Sequence, residues 1–279
     1  MPTLSFNEIQ DRITIPFEII PEKLLSWNNS SFTKDLLFKL IVRGSYPELY
    51  RNPKLNSSNF YDSYLKTYLD KDVGEIVSVH NKTLFRKFIE LLASYTGCEI
   101  IYSNIANKLR IDIKTVASWI GVLETSNLVY FLEPYIESSL SKRVIKRSKI
   151  YFNDTGLVCF LLKQNDPLTL SKGVTSGHLV ETYVINEIIK SYANSDVLSP
   201  GFYYYRNRDQ NEIDLIMIKN GKLNLIEIKS GVRYGESDIK AFKKLAAPDY
   251  EVDLCAVICT ASMIYPINKK TYVLPISVI

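Results

Sequence analysis

The spacing of apolar residues predicts a helical first half of the chain. Pro2, Pro16, Pro21 and Pro47 interrupt the first fifty residues, so we expect an irregular segment there without a long helix. From residue 60 onwards apolar residues recur every three or four positions, as in an amphipathic helix. This pattern predicts helices at 60–68, 84–95, 102–110 and 112–124.

Two strands follow these helices. Residues 128–136 read LVYFLEPYI and residues 149–152 read KIYF, and both are rich in the aromatic and branched side chains that favour strands. Ser103 and Asp112 are suited to cap the last two helices. The last three of these helices followed by two strands give the order of a winged helix-turn-helix, which we predict for this part of the chain.

A winged helix-turn-helix suggests DNA binding, because its second motif helix often lies in the major groove. The helix predicted at 112–124 presents Lys114, Ser118, Gly121 and Thr125 outward. These residues include few of the Arg, Asn or Gln side chains that read base edges. We therefore favour a structural or protein-docking module over a sequence-specific reader of DNA.

The pattern changes again after Asp154 and Gly156. It predicts a helix at 175–191, strands at 202–206, 212–218 and 222–230, a helix at 236–247 and a strand at 252–260. The pair Asn220-Gly221 is typical of a tight hairpin turn, and the last strand has the apolar character of a buried parallel strand. The order α-β-β-β-α-β predicts an α/β domain, so that the chain as a whole is α+β.

Composition narrows the class of protein. The chain has 279 residues, of which 46% are hydrophobic and 23% are charged, as expected for a folded protein with more than one core. No apolar run reaches the roughly 20 residues of a membrane helix, and no signal-like segment opens the chain. We therefore expect a cytoplasmic protein without a membrane partner. The cysteines are scattered, which argues against a disulfide framework or a zinc site.

The positive charge is concentrated in the second half of the chain. Residues 1–140 carry 15 Lys/Arg and 16 Asp/Glu, whereas residues 141–279 carry 19 and 14. The densest basic segment, SKRVIKRSK at 141–149, suggests a strip that contacts phosphate, with a solvated surface strand as the alternative. The candidate DNA contacts in this strip are Lys142, Arg143, Lys146 and Arg147.

Two further arginines precede an acidic strand. Arg206 and Arg208 could contact phosphate, or they could merely screen Asp209 and Glu212. Together with the basic strip, they predict weak DNA binding that is indifferent to sequence.

The hairpin predicted at 212–230 carries charges within an apolar pattern, and a buried charge is costly unless it is paired or bound to a metal. A two-residue turn would place Glu227 opposite Asp214, with Lys229 on the same face as Glu227. Facing carboxylates repel unless a cation lies between them, and carboxylate oxygens are ligands that Mg²⁺ prefers. The hairpin therefore predicts a site for Mg²⁺ or Mn²⁺ in which Lys229 assists a metal-bound water.

Glu181 on a helix, Asp214, and the triplet Glu227-Ile228-Lys229 resemble the signature of the PD-(D/E)XK nuclease superfamily. This resemblance implies that Asp214, Glu227 and the Ile228 carbonyl hold the metal. It also implies that Glu181 supports the metal directly or through water. The α-β-β-β-α-β order is the core expected for such a nuclease-like domain.

Further motifs extend the resemblance over nearly the whole chain. They are GSYPELY at 44–50, YLDKDV at 68–73, SKIYFNDTGL at 148–157, GHLVETYV at 177–184, YYYRNRDQNEIDLI at 203–216 and IEIKSG at 226–231. In this order they resemble the C-terminal region of a large family of bacterial and archaeal AAA-type ATPases. In that family an ATPase module precedes a winged helix and a nuclease-like domain of unassigned function.

The resemblance implies three parts of the chain: a segment at 1–58 similar to the tail of an ATPase module, a helical winged-helix domain at 59–155, and a nuclease-like domain at 156–279. Two departures matter. Ile213 replaces the proline of the superfamily, and no GxxxxGK[ST] motif for binding ATP phosphates occurs. We therefore expect no ATP hydrolysis by this chain alone, and an ATPase module that is encoded separately.

These observations lead to two functional hypotheses. The first is a divalent-metal-dependent nuclease that acts on DNA, with Glu181, Asp214, Glu227 and Lys229 as catalytic residues. The second is a non-catalytic module of an ATPase system that docks a protein or nucleic acid.

Overall fold

The computed structural model describes residues 3–26, 32–71, 82–136, 147–245, 247 and 249–279, which form a mixed α/β fold. The α-helices are α1 (Phe6–Ile9), α2 (Pro21–Leu25), α3 (Lys34–Arg43), α4 (Pro47–Arg51), α5 (Ser57–Lys71), α6 (Lys82–Ala93), α7 (Tyr102–Leu109), α8 (Ile113–Thr125), α9 (Thr155–Leu161), α10 (Pro167–Lys172) and α11 (Ser176–Ala193). The strands are β1 (Cys98–Glu99), β2 (Val129–Pro134), β3 (Lys149–Phe152), β4 (Gly201–Arg206), β5 (Glu212–Lys219), β6 (Lys222–Ile228), β7 (Glu251–Val252), β8 (Cys255–Cys259), β9 (Tyr265–Pro266) and β10 (Thr271–Pro275). Short 3₁₀ helices span Glu236–Lys244 and Ile276–Val278.

The strands of the described residues form one ten-stranded sheet. Its order is β1-β3-β2-β4-β5-β6-β8-β10-β9, with β7 beside β6. β4, β5 and β6 are antiparallel neighbours, whereas β8 pairs in parallel with β6 and β10. β8 is buried throughout, so the predicted parallel strand near 252–260 is confirmed. The hairpin register is also confirmed, because Lys219 pairs with Lys222 and Leu215 with Ile226.

The first fifty residues are more regular than predicted, because the described part of them contains helices of four to ten residues. Pro21 and Pro47 each stand in the first turn of a helix, α2 and α4, where proline removes no hydrogen bond that the helix would make. Between them, Thr33 caps α3 through its side chain, and α3 buries Leu37 and Ile41 completely. Pro21 and Pro47 therefore start helices in this segment rather than prevent them.

Helices α6, α7 and α8 correspond to the predictions at 84–95, 102–110 and 112–124. The predicted cap at Ser103 is wrong, because α7 begins after Ile101, and Asp112 precedes α8 without making a capping hydrogen bond through its side chain. An unpredicted strand, β1, pairs with β3, which also pairs with β2. The observed order is helix, strand, two helices and two strands, which adds β1 to the predicted order. The winged helix therefore stays a prediction.

The last third follows the predicted order, with some differences. The helix predicted at 236–247 is a 3₁₀ helix, in which the backbone of Ile239 leaves the helical region. Ile239 is almost fully buried against Val257 and Val273, so packing on the sheet determines the local backbone here. α9, α10 and β10 were not predicted.

The N-terminal segment holds α11 through buried polar contacts. Glu187 accepts a hydrogen bond from the Phe6 backbone N–H at 2.7 Å, and Lys190 donates to the Leu4 carbonyl at 2.8 Å. Glu187 and Lys190 also form an ion pair in which each side chain is 5% exposed. One core connects all three predicted parts of the chain, and their division at residues 58 and 155 stays a prediction.

A buried carboxylate joins the start of α9 to the helices before it. Asp154 accepts hydrogen bonds from the Ser45 N–H at 2.6 Å, from the Tyr61 hydroxyl at 2.7 Å and from the Leu157 N–H at 2.8 Å. Gly156 packs so closely here that a Cβ atom on it would lie 2.3 Å from the Tyr61 hydroxyl. The motifs around residues 44 and 154 thus meet in one tightly packed junction, directly after β3.

Candidate functional site

Charged side chains from several elements meet at one place, where α11 faces the sheet. They are Lys149 on β3, Glu181 on α11, Glu212 and Asp214 on β5, Glu227 on β6 and Lys229 directly after β6. The structure therefore brings together all four residues that the sequence suggested as catalytic. Lys149 and Glu212 were not predicted as members of the site.

Lys149 lies at the centre of the first half of the site. Its Nζ is 2.9 Å from Glu181 Oε1 and 2.5 Å from Glu212 Oε1, and the residue is 2% exposed. Burial favours the neutral amine, but Glu181, Asp214 and Glu212 outweigh burial and raise the pKa of Lys149 above its usual value. Tyr151, two residues along the same face of β3, donates a hydrogen bond to Glu181 Oε1 at 2.6 Å.

Asp214 and Glu227 form the second half. Asp214 Oδ2 accepts a hydrogen bond from the Ile228 N–H at 2.7 Å. Burial raises the pKa of Asp214 to about 7, with a further contribution from Glu181. Burial also raises the pKa of Glu227 to about 8, and the charge of Asp214 adds to this shift. The two carboxylates therefore hold their charges poorly in the absence of a further cation.

Glu227 has one satisfied and one unsatisfied oxygen. Lys229 Nζ lies 2.5 Å from Glu227 Oε1, and Glu227 raises the pKa of Lys229 against the opposing effect of burial. Among the described residues, Glu227 Oε2 is buried without a hydrogen-bond partner. A buried polar atom without a partner is rare in proteins, and it is often explained by a water or an ion.

The charges of the site do not balance. Fully ionised, the four carboxylates would carry four negative charges, whereas Lys149 and Lys229 supply two positive charges, which leaves a formal excess of two negative charges. Arg206 lies 3.8 Å from Glu212 at the rim, but it is 37% exposed and shared with Glu99, so solvent screens its contribution. Two protons or one divalent cation would neutralise the excess.

The residues present suit a divalent cation, although the ligand set is small. Within the described ranges, no group of three or more His, Cys, Asp and Glu side chains has the arrangement of a metal site. The set suggested by the sequence has only two carboxylates, from Asp214 and Glu227, with the Ile228 carbonyl as the third ligand. The unsatisfied Oε2 of Glu227 beside a second carboxylate of raised pKa is the observation that fits a cation.

The candidate DNA contacts are only partly described. Lys142, Arg143 and Lys146 lie outside the described residues. Arg147 is exposed, and its carbonyl accepts a hydrogen bond from the Tyr204 hydroxyl. Lys149, the last residue of the basic strip, is buried, so the interpretation of the strip as a surface is wrong at this position.

The two arginines before β5 differ from each other. Arg206 contacts Gln210, Glu99 and Glu212, which supports a role in screening the acidic strand. Arg208 is exposed in the turn between β4 and β5.

The signal that could have revealed Lys149 was the pattern of its own strand. KIYF is an apolar strand that begins with a lysine, and a charge in such a run needs a partner in the same way as the charges of the hairpin. The local density of basic residues instead groups Lys149 with the surface strip that precedes it.

Comparisons with known proteins match two successive regions of the chain. Residues 34–168 match a domain of unknown function (DUF8612), and residues 176–279 match another domain of unknown function (DUF4143). No solved structure matches the chain. None of the helices in the described ranges combines the length and the apolar character needed to cross a membrane.

The curated relatives are uncharacterized proteins. The chain is 24% identical over 239 residues to protein Rv2008c of Mycobacterium tuberculosis and to protein Mb2031c of Mycobacterium bovis, which covers 85% of this chain and 52% of each relative. It is 32% identical over 116 residues to protein MJ1637 of Methanocaldococcus jannaschii, or 41% of this chain and 24% of that protein. The chain thus spans about half the length of the mycobacterial relatives. The domain matched at residues 176–279 is of a kind commonly found with AAA-ATPase-like proteins.

Proposed function

We propose that this chain is a divalent-metal-dependent nuclease that acts on DNA and forms the C-terminal part of an AAA-type ATPase system. The observation that supports this proposal best is the excess of negative charge on the buried pair Asp214 and Glu227, together with the unsatisfied Oε2 of Glu227. A buried carboxylate pair of this kind is stabilised by a cation between its members. The resemblance to PD-(D/E)XK nucleases supplies the expected substrate.

Each residue of the site has a role in this proposal. Asp214, Glu227 and the Ile228 carbonyl would hold the metal, which activates a water and offsets charge on the attacked phosphate when it is bound. Asp214 is oriented by the Ile228 N–H, so its carboxylate is placed before a ligand arrives. Lys229 is partly exposed beside Glu227, where its ammonium group can orient the attacking water. Glu181 faces Asp214 from α11 and supports the metal directly or through water.

Metal titration tests this proposal. We expect calorimetry to detect binding of Mn²⁺ or Mg²⁺ by the wild-type protein, and we expect a supercoiled plasmid to be nicked when metal is added. Glu227→Gln should abolish both, because the amide removes a negative charge and a ligand oxygen. Glu251→Gln is the matched control, since Glu251 is exposed and pairs with Lys222 at the opposite end of β6 from Glu227. Absence of metal binding at millimolar concentration, with DNA present too, would overturn the proposal.

One observation favours a second candidate function, a non-catalytic docking module. Lys149 and Lys229 already occupy oxygens of Glu181, Glu212 and Glu227, as in a structural network of ion pairs. In that case the fold would be retained for binding a partner, and the metal titration would show no binding.

The DNA-binding part of the proposal makes its own prediction. Affinity for duplex or branched DNA should be weak, independent of sequence, and lower at high salt, because Lys and Arg displace the counterions of phosphates. Each phosphate contact should contribute a slope of roughly 0.9 in log K against log salt. Fluorescence anisotropy at several salt concentrations measures this slope for the wild type and for Arg208→Ala.

Arg208→Ala should show a smaller slope of log K against log salt than the wild type. The control Lys66→Ala, on helix α5, should show the same slope as the wild type. Binding that does not change with salt, or that is lost only when Lys114 on the outer face of α8 is changed, would contradict this account.

A further inference from the structure

Lys149 comes from a different part of the chain than the other charged residues of the site. It lies on β3 within residues 34–168, which match the first domain of unknown function, whereas residues 181 to 229 lie within the second. Its Nζ bridges one oxygen of Glu181 on α11 and one oxygen of Glu212 on β5, at 2.9 and 2.5 Å. The first matched region therefore completes the charged site of the second.

Nζ occupies the place of a bridging cation between two carboxylates. Its distances to Glu181 and Glu212 are those of charge-assisted hydrogen bonds, so the ammonium group serves both carboxylates as a single positive charge. The face of the Tyr204 ring lies 5.4 Å from Nζ, which also favours a positive charge there. The ammonium group thus occupies a position where two carboxylates from two elements converge.

We propose that Lys149 takes the place of a second divalent cation, so that the site binds only one metal ion. This inference rests on the proposed function. With Lys149 present, the residual charge is concentrated at Asp214 and Glu227 and matches one divalent ion. Without Lys149, Glu181 and Glu212 would face each other with only the Tyr151 hydroxyl and the partly exposed Arg206 beside them, and they would form a second place for a cation. Lys149 is accordingly a positioning residue, which acts through Glu181 and Glu212.

The test is the number of Mn²⁺ ions bound by the full chain, measured by equilibrium dialysis with electron paramagnetic resonance. We expect one ion in the wild type and in Lys149→Arg, which keeps the cation. We expect two ions in Lys149→Met, which has an apolar side chain of similar length. In the double variant Lys149→Met/Glu212→Gln the number should return to one, because the second place has lost a carboxylate.

The outcomes separate this inference from the proposed function. No Mn²⁺ in the wild type would overturn both. One ion in both the wild type and Lys149→Met, or two ions in the wild type, would overturn this inference alone. If Lys149→Met is unfolded in chelator, Mn²⁺ must restore its circular dichroism spectrum and bind at two ions per chain. Failure of Mn²⁺ to do so would also overturn the inference.

Discussion

Gly156→Ala is expected to destabilise the protein by about 4 kcal/mol or to prevent folding, an effect that belongs to the largest class for single substitutions. The added Cβ would lie 2.3 Å from the Tyr61 hydroxyl and 2.7 Å from the backbone of Gly44. Tyr61 is 1% exposed, and its hydroxyl is hydrogen-bonded to Asp154, so neither neighbour can move without breaking buried contacts. Urea unfolding followed by circular dichroism measures the change.

A second glycine provides a control of opposite sign. Gly121 lies in helix α8, and a Cβ added there would meet no atom within 4 Å. Gly121→Ala should therefore stabilise the protein by roughly 0.5 to 1 kcal/mol, because alanine loses less backbone entropy in a helix. A Gly156→Ala variant that unfolds at the same urea concentration as the wild type would contradict the tight junction at Asp154.

The junction at Asp154 shows what the sequence pattern could not reveal. Asp154 binds the backbone of Ser45, from which it is separated by 109 positions. Hydrophobic periodicity reports which side of an element is buried, but it carries no information about which distant segments meet. In the sequence the motifs around Gly44 and Asp154 indicate only a family resemblance, and the structure shows that they contact each other.

The hairpin was predicted well because its determinants are local. The Asn220-Gly221 turn fixes the register of β5 and β6, and the alternation of the strands then fixes which side chains share a face. The approach of Asp214 and Glu227 follows from that register, and the charge of Asp214, which adds to the raised pKa of Glu227, agrees with it. Lys149 was missed as a site residue because its position depends on the pairing of β2 with β4, which no local pattern specifies.

Asp214→Asn is expected to abolish metal binding and cleavage while leaving the fold without metal as stable as the wild type or more stable. Asn can still accept the hydrogen bond from the Ile228 N–H, so the local backbone contact is kept. The substitution removes a buried negative charge that faces Glu227 and Glu181, and it relieves their repulsion. Thermal unfolding of both proteins in chelator at pH 8 measures the difference.

The pH dependence of stability gives the same substitution a second readout. The pKa values of Asp214 and Glu227 in the folded protein, about 7 and about 8, lie above those of unfolded chains. The folded protein therefore retains protons that the unfolded chain releases, so this contribution to stability is complete below about pH 4. It falls progressively as the pH rises from about 4, with a slope of about 1.4 kcal/mol per pH unit for each retained proton, and it is lost above the folded pKa values of about 7 and about 8. Asp214→Asn should make that slope smaller in chelator.

The opposite result would identify a structural ion-pair network. If the hairpin charges mainly stabilise Lys149 and Lys229, Asp214→Asn leaves buried positive charge poorly compensated, which typically costs about 3 to 5 kcal/mol. A clear fall in the unfolding midpoint of Asp214→Asn in chelator would therefore contradict the metal site. Lys229→Ala is the companion variant, and its midpoint should fall, because it leaves both oxygens of Glu227 without a cation. A metal site thus predicts opposite signs for the two variants, whereas a structural network predicts that both lose stability.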